Sequence, residues 1–175
     1  MAGKGFIGLG VMGSAMAVHI SNKYSHLIVY NRTPNKANSW VKVNGGQAVS
    51  NAAQVGELCE QVFLCVGNDE DVKEVVSGEE GILQTMKKGG VIVDHTTISA
   101  DVSKELSELC SLKGIGFIDA PVSGGQAGAE SGLLTVMAGG EEKYFDIVKV
   151  SISCYSKFFK LMGRSGSGLL TKMVN

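Results

Sequence analysis

Gly8, Gly10 and Gly13 lie in the run Gly8-Leu9-Gly10-Val11-Met12-Gly13, directly after the apolar pair Phe6-Ile7. Glycine does something different at each of these places. Gly8 permits a tight turn, Gly10 lets an anionic group approach the backbone, and Gly13 lets a following helix pack closely. The N–H groups of Val11 and Met12 then stand free at the positive end of that helix, which is the chemistry of pyrophosphate capture. Such a string recurs by chance in a chain with 24 glycines, so its setting decides the matter. Met12 to Ser21 carries Met16 and Ile20 at helical spacing, and Leu27-Ile28-Val29-Tyr30 is a short β-rich run. Residues 4–30 therefore predict a strand, a helix and a parallel strand, the setting in which a turn of this kind binds a dinucleotide. Leu9 is expected to line the cofactor with its neighbours.

The end of the second strand selects the cofactor. An acidic residue there would accept from a ribose 2′-hydroxyl and repel a 2′-phosphate, but this chain has Asn31-Arg32-Thr33. Arg32 offers a planar cation to a phosphate, and Asn31 and Thr33 add neutral donors, so NADP(H) is favoured over NAD(H). The plainer alternative is a solvated arginine beside a helix cap. Val66, at the end of a third apolar run, is a further expected cofactor contact.

These residues need a scaffold, and the apolar runs supply one. Val62–Val66, Val91–Val93, Gly116–Ile118, Leu134–Met137 and Phe158–Leu161 alternate with helical patterns at Asp71–Val76, Asp101–Leu112 and Glu141–Val150. The alternation predicts a doubly wound α/β sheet of Rossmann type. Thr33-Pro34 marks a helix start, with the threonine hydroxyl as cap, and Ser50 is expected to cap another short helix. Residues 1–163 form the expected nucleotide-binding domain, and 164–175 begin a helix.

Composition narrows the function. Lys plus Arg (16) nearly balance Asp plus Glu (17), and no basic cluster suits nucleic acid. Cys59, Cys65, Cys110 and Cys154 form no CxxC pair and read as packing residues in a reducing compartment. No metal-ligand cluster is visible. No apolar stretch approaches the roughly 20 residues of a membrane span, and no signal peptide precedes the first strand, so the cytoplasm is the expected location.

Four segments, GFIGLGVMGSAMA at 5–17, DHTTIS at 94–99, DAPVSGGQAGAESGLLTVMAGG at 119–140 and GSGLLTKMVN at 166–175, together resemble the β-hydroxyacid dehydrogenase family. The resemblance implies that Ser123, Gly124 and Gly125 hold a substrate carboxylate. It also implies that Lys172 is the general acid of carbonyl reduction and the base of alcohol oxidation. Burial near a positively charged nicotinamide would favour release of that proton. Asn175 would help orient the substrate hydroxyl, and Thr96 and Thr97 would meet the nicotinamide ribose, Thr97 being the better match. His95 stands where the family often has methionine, and a packing role is favoured for it. Ser123 lacks the G-x-S-x-G elbow of a nucleophile.

The implied enzyme transfers hydride between NADP(H) and a short β-hydroxy acid or the corresponding semialdehyde. Relatives continue as an all-helical domain that closes the site and builds a homo-oligomer. This chain is therefore expected to be the cofactor-binding part of a longer protein, with little turnover of its own. Two alternatives are a non-catalytic dinucleotide-binding module, disfavoured by retention of Lys172, and a 6-phosphogluconate dehydrogenase, disfavoured because Met173-Val174-Asn175 lacks the expected histidine.

Overall fold

A computed structural model describes residues 3–174. The chain begins with β1 (Lys4–Ile7), α1 (Val11–Lys23) and β2 (Leu27–Tyr30), followed by α2 (Pro34–Asn44), β3 (Gln47–Ala48) and α3 (Ala52–Leu58). Next come β4 (Gln61–Leu64), α4 (Asp69–Ser77), β5 (Val91–Asp94), α5 (Ala100–Leu112) and β6 (Gly116–Asp119). The last third contains β7 (Val122–Ser123), α6 (Gly125–Ser131), β8 (Leu134–Gly139), α7 (Glu142–Ile152), β9 (Ser156–Gly163) and α8 (Ser167–Met173).

The strands form one sheet in the order β3-β2-β1-β4-β5-β6-β8-β7, with β9 also on β8. β1 through β6 are mutually parallel, whereas β8 runs antiparallel to β6 and β7 and parallel to β9. The α/β doubly wound architecture agrees with the sequence expectation. β1 has β2 on one side and β4 on the other, so the chain reverses its direction of winding beside β1. In open sheets of this kind ligands bind in the crevice outside the strand ends at that switch point.

Alternation along the strands explains why both faces are covered. Phe6, Phe63, Val91, Val93 and Ile118 enter one apolar core, and their neighbours Ile7, Val62, Leu64, Ile92 and Phe117 enter the other. Successive side chains of a strand point to opposite faces, so continuous apolar runs fit only a sheet sandwiched between helices.

Local expectations needed correction in three places. Asn51, not Ser50, caps α3, its side chain accepting from Gln54 N at 3.0 Å, while Ser50 bonds Gln54 Oε1. Thr33 occupies the cap position of α2 with Pro34 after it, but its hydroxyl makes no capping bond. The short β3, β7 and α6 were not anticipated. The thiols are free, and burial pushes those of Cys59, Cys65 and Cys110 up to about 12, which leaves them unreactive near neutral pH.

His95 has the packing role favoured for it. It is buried, its Nδ1 lies 2.7 Å from the Ala120 carbonyl oxygen, and its Nε2 lies 2.8 Å from the Tyr155 hydroxyl. The carbonyl can only accept, so Nδ1–H donates to it and Nε2 accepts from the tyrosine. Burial lowers the imidazole to about 4 and keeps this neutral tautomer in place. Tyr155→Phe leaves Nε2 unpaired in the core, and we expect it to cost about 1–3 kcal/mol. The urea midpoint should fall with an unchanged m-value, and an unaltered midpoint would contradict the assignment.

Candidate functional site

The glycine run forms the turn between β1 and α1. Gly8 has φ +91°, and a Cβ there would lie 2.1 Å from the Cys65 carbonyl oxygen. A Cβ on Gly13 would lie 1.9 Å from the Gly8 carbonyl oxygen. Both glycines are thus required by backbone packed directly on backbone. Gly10 differs: its φ of −73° and ψ of −170° suit any residue, and a Cβ there would meet no protein atom within 4 Å. Nothing in the protein demands glycine at Gly10, and the absent side chain leaves space above the N-terminus of α1. That space fits a ligand phosphate.

The turn is tied to the neighbouring strand ends. Gly8 N donates to the Tyr30 carbonyl oxygen (3.0 Å) and Leu9 N to Asn31 Oδ1 (2.9 Å), while Asn31 Nδ2 donates to the Thr33 carbonyl oxygen. Asn31 is therefore engaged within the protein and braces the turn, and the Leu9 side chain is buried in the core. Val11 is exposed and Met12 half-buried at the start of α1, where the first N–H groups of a helix have no intrahelical acceptor.

A cleft of about 380 Å³ opens beside this turn, lined by Gly8, Gly10, Asn31, Arg32, Thr33 and Val66 among others. It brings together six of the residues expected to meet the cofactor. Lys36, Asp71 and Glu74 line it as well and were not singled out from sequence. Lys36 lies three residues beyond Thr33 on α2, a spacing that could have flagged it. Asp71 is remote in sequence from the motif. Arg32 is 85% exposed in its side chain and pairs with Asp71, Nη1 to Oδ1, at 2.9 Å.

The next strand ends carry buried carboxylates. Asp94 closes β5 with Oδ1 accepting from Thr96 N at 2.8 Å, while Oδ2 has no partner among the described residues. Burial pushes this carboxyl up to about 7. Thr96 is itself buried, and its hydroxyl accepts from Val66 N at 3.0 Å. Thr97 is exposed.

Asp119, the register neighbour of Asp94 at the end of β6, fastens the segment that leads to Lys172. Its Oδ1 accepts from Gly166 N at 2.7 Å and Oδ2 from Leu169 N at 3.2 Å. A buried carboxylate thus takes the place of a capping side chain at the start of α8. Burial raises its carboxyl nonetheless, the N–H bonds offsetting only part of that cost. One helical turn beyond Leu169, Lys172 is half-buried, and its Nζ donates to the Val122 carbonyl oxygen at 2.7 Å.

Ser123 follows Val122 on β7, opposite Thr135 of β8. Gly124 and Gly125 have φ of +131° and +61° and are exposed, a backbone course that only glycine takes readily. The structure thus brings Lys172 onto Val122, the residue that directly precedes Ser123, Gly124 and Gly125. They do not line the Arg32 cleft. Asn175 lies outside the described residues. Among the described residues no group of His, Cys, Asp and Glu side chains could hold a metal ion, and no helix is long and apolar enough to cross a membrane.

A glycine turn at the switch point of a parallel sheet, with a cleft at the adjoining strand ends, defines a Rossmann-type dinucleotide-binding domain. The chain belongs to the family described as the NAD binding domain of 6-phosphogluconate dehydrogenase, which matches residues 4–163. It is 51% identical over its whole length to an uncharacterized oxidoreductase of Shewanella frigidimarina, of which it covers 60%. It is 37% identical over 98% of its length to mouse mitochondrial 3-hydroxyisobutyrate dehydrogenase, of which it covers 51%. The fold matches that of Mycobacterium tuberculosis 3-hydroxyisobutyrate dehydrogenase with a TM-score of 0.92 at 24% identity, over 100% of this chain and 59% of that one. The resemblance to β-hydroxyacid dehydrogenases read from the four segments is thereby confirmed, and the chain spans roughly half to three-fifths of these relatives' length.

The two kinds of glycine make a testable contrast. Gly13→Ala forces a methyl into the Gly8 carbonyl and is expected to destabilise the fold by more than about 2 kcal/mol. Gly10→Ala should melt close to the wild type but bind a nicotinamide dinucleotide at least about tenfold more weakly. Thermal melts and calorimetric titrations on both variants check this, and intact binding by Gly10→Ala would contradict the assignment.

Proposed function

We propose that this chain is the cofactor-binding part of an NADP(H)-dependent oxidoreductase acting on a short β-hydroxy acid or the corresponding semialdehyde. The observation that carries the reading is the 2.7 Å bond from Lys172 Nζ to the Val122 carbonyl oxygen, which stations an ammonium beside Ser123 and the turn Gly124-Gly125. Gly8 to Gly13 would hold the pyrophosphate, Arg32 and Thr33 the adenosine end, and Val66 and Thr97 the nicotinamide end. When bound, the nicotinamide supplies or accepts the hydride.

The chain's own residues do the rest. Ser123 and the N–H groups of Gly124 and Gly125 anchor the substrate carboxylate, so that the reacting carbon is oriented before any bond changes. Lys172 gives a proton to the carbonyl oxygen during reduction and takes it from the hydroxyl during oxidation. The Val122 carbonyl aims the ammonium, and Asp119 fixes the start of the helix that carries it. The mouse relative is named for 3-hydroxyisobutyrate, a substrate of the proposed class. We assign residues 1–163 to the cofactor domain and 164–175 to the first part of a connection into a helical domain of the whole protein. That domain would complete the substrate site and a homo-oligomer in the cytoplasm.

The test has two parts. The 175-residue chain should bind NADP+ more tightly than NAD+ and show little turnover, and equal or tighter NAD+ binding would refute the cofactor preference. In the whole protein, assayed against short semialdehydes and hydroxy acids, Lys172→Ala should lower kcat by about 100-fold or more. Its affinity for NADP(H) should stay within about twofold of wild type. Unchanged kcat would refute the role of the lysine.

A further inference from the structure

The Arg32 cleft is divided in charge. Arg32 and Lys36 face it from the β2–α2 side, and Asp71 and Glu74 face it from α4. The first turn of α4 is acidic throughout, with Asp69, Glu70 and Asp71. Asp71 is the confined partner: its side chain is 25% exposed against 85% for Arg32, and its backbone N–H is held by the Asn68 cap at 3.0 Å. Arg32 is therefore the member of the pair free to swing. A guanidinium carries five N–H donors in a rigid fork, and Asp71 engages it through Nη1 alone. An incoming phosphate on the adenosine ribose competes with the Asp71 carboxylate for the orientation and charge of that fork, and it sits near that carboxylate's own charge.

We propose that Asp71 is a specificity-determining residue of this cleft. Its carboxylate occupies Arg32 in place of a ribose 2′-phosphate, and it thereby weakens the preference for phosphorylated over unphosphorylated adenosine dinucleotides that Arg32 would otherwise impose. The inference rests on the reading that Arg32 meets the 2′-phosphate, and it adds a competitor for Arg32 that lies 39 residues further along the chain. An exposed ion pair is worth little in itself. The competitor's cost to the ligand is set by the part of the Arg32 charge and orientation that Asp71 holds, plus the repulsion of one phosphate by one nearby carboxylate.

The experiment titrates two fragments of the cofactor, 2′,5′-ADP and 5′-ADP, into the 175-residue chain by calorimetry at fixed low ionic strength. Wild type, Asp71→Asn, Arg32→Ala and the double variant are compared. Asp71→Asn should tighten 2′,5′-ADP by about three- to tenfold and leave 5′-ADP within about twofold. In the Arg32→Ala background the same substitution should gain less than it does in wild type, because no guanidinium remains to be released and only the relief of repulsion is left. Unchanged or weaker 2′,5′-ADP binding by Asp71→Asn overturns the proposal, and so does equal tightening of both ligands. The two readings fail separately. If Arg32→Ala does not weaken 2′,5′-ADP relative to 5′-ADP, the assignment of Arg32 to the phosphate is lost and this inference with it. If Arg32→Ala weakens 2′,5′-ADP and Asp71→Asn has no effect, only the role of Asp71 is lost. Thermal melts of the four proteins identify any variant whose loss comes from misfolding.

Discussion

The contact between the β1 turn and the start of α1 is made by backbone alone. The Gly13 Cα sits so near the Gly8 carbonyl that a methyl group would lie 1.9 Å from that oxygen, and Gly8 itself abuts the Cys65 carbonyl. This closeness brings the N-terminus of α1 down onto the strand ends, where its unpaired N–H groups face outward at the switch point. Asn31 then bonds Leu9 N and couples the turn to the end of β2, which fixes where Arg32 and Thr33 stand. The position of the cleft, its cationic wall and the space above Gly10 all follow from that one approach of helix to strand.

A second constraint acts at the other end of the crevice. Asp94 and Asp119 end adjacent strands in register, and each uses its carboxylate to hold a segment that the parallel sheet cannot reach with its own ladder. Asp94 holds Thr96, which in turn holds Val66, and Asp119 holds the start of α8. Burying each carboxyl is costly, which is why both are pushed upward from the usual carboxylate range. The arrangement is a structural expense at the place where the chain assembles Ser123 and Lys172. Stability is surrendered here for position.

The strands and long helices were legible because apolar runs and helical periodicity are local signals. The turn was legible because its three glycines fall within six residues between an apolar pair and a helical pattern. What escaped depends on contacts between distant segments. The Gly-rich helix Gly125–Ser131 has poor intrinsic propensity and forms where His19 Nε2, 2.9 Å from the Ala129 carbonyl oxygen, joins it to α1. β7 is two residues long and exists only as a partner of β8. Ser50 and Asn51 are both good caps, and only the backbone geometry chooses between them. Arg32 stood out in the sequence as a candidate for a phosphate, but its pairing with Asp71 required knowing that α4 lies across the cleft. Asp119 was seen as part of a motif, while its service to α8 spans 47 residues.

A dinucleotide held at the glycine turn must touch the N-terminus of α1 first. Amide chemical-shift mapping of the 15N-labelled protein during titration with NADP+ reads that contact residue by residue. The largest perturbations should fall on Gly10 to Gly13, with Arg32, Thr33 and Val66 forming a second group, and the N-terminal strand pairings should stay unshifted. Saturating perturbations confined to another face, with Val11 and Met12 unmoved, would contradict the claim that the glycine turn is a dinucleotide cradle.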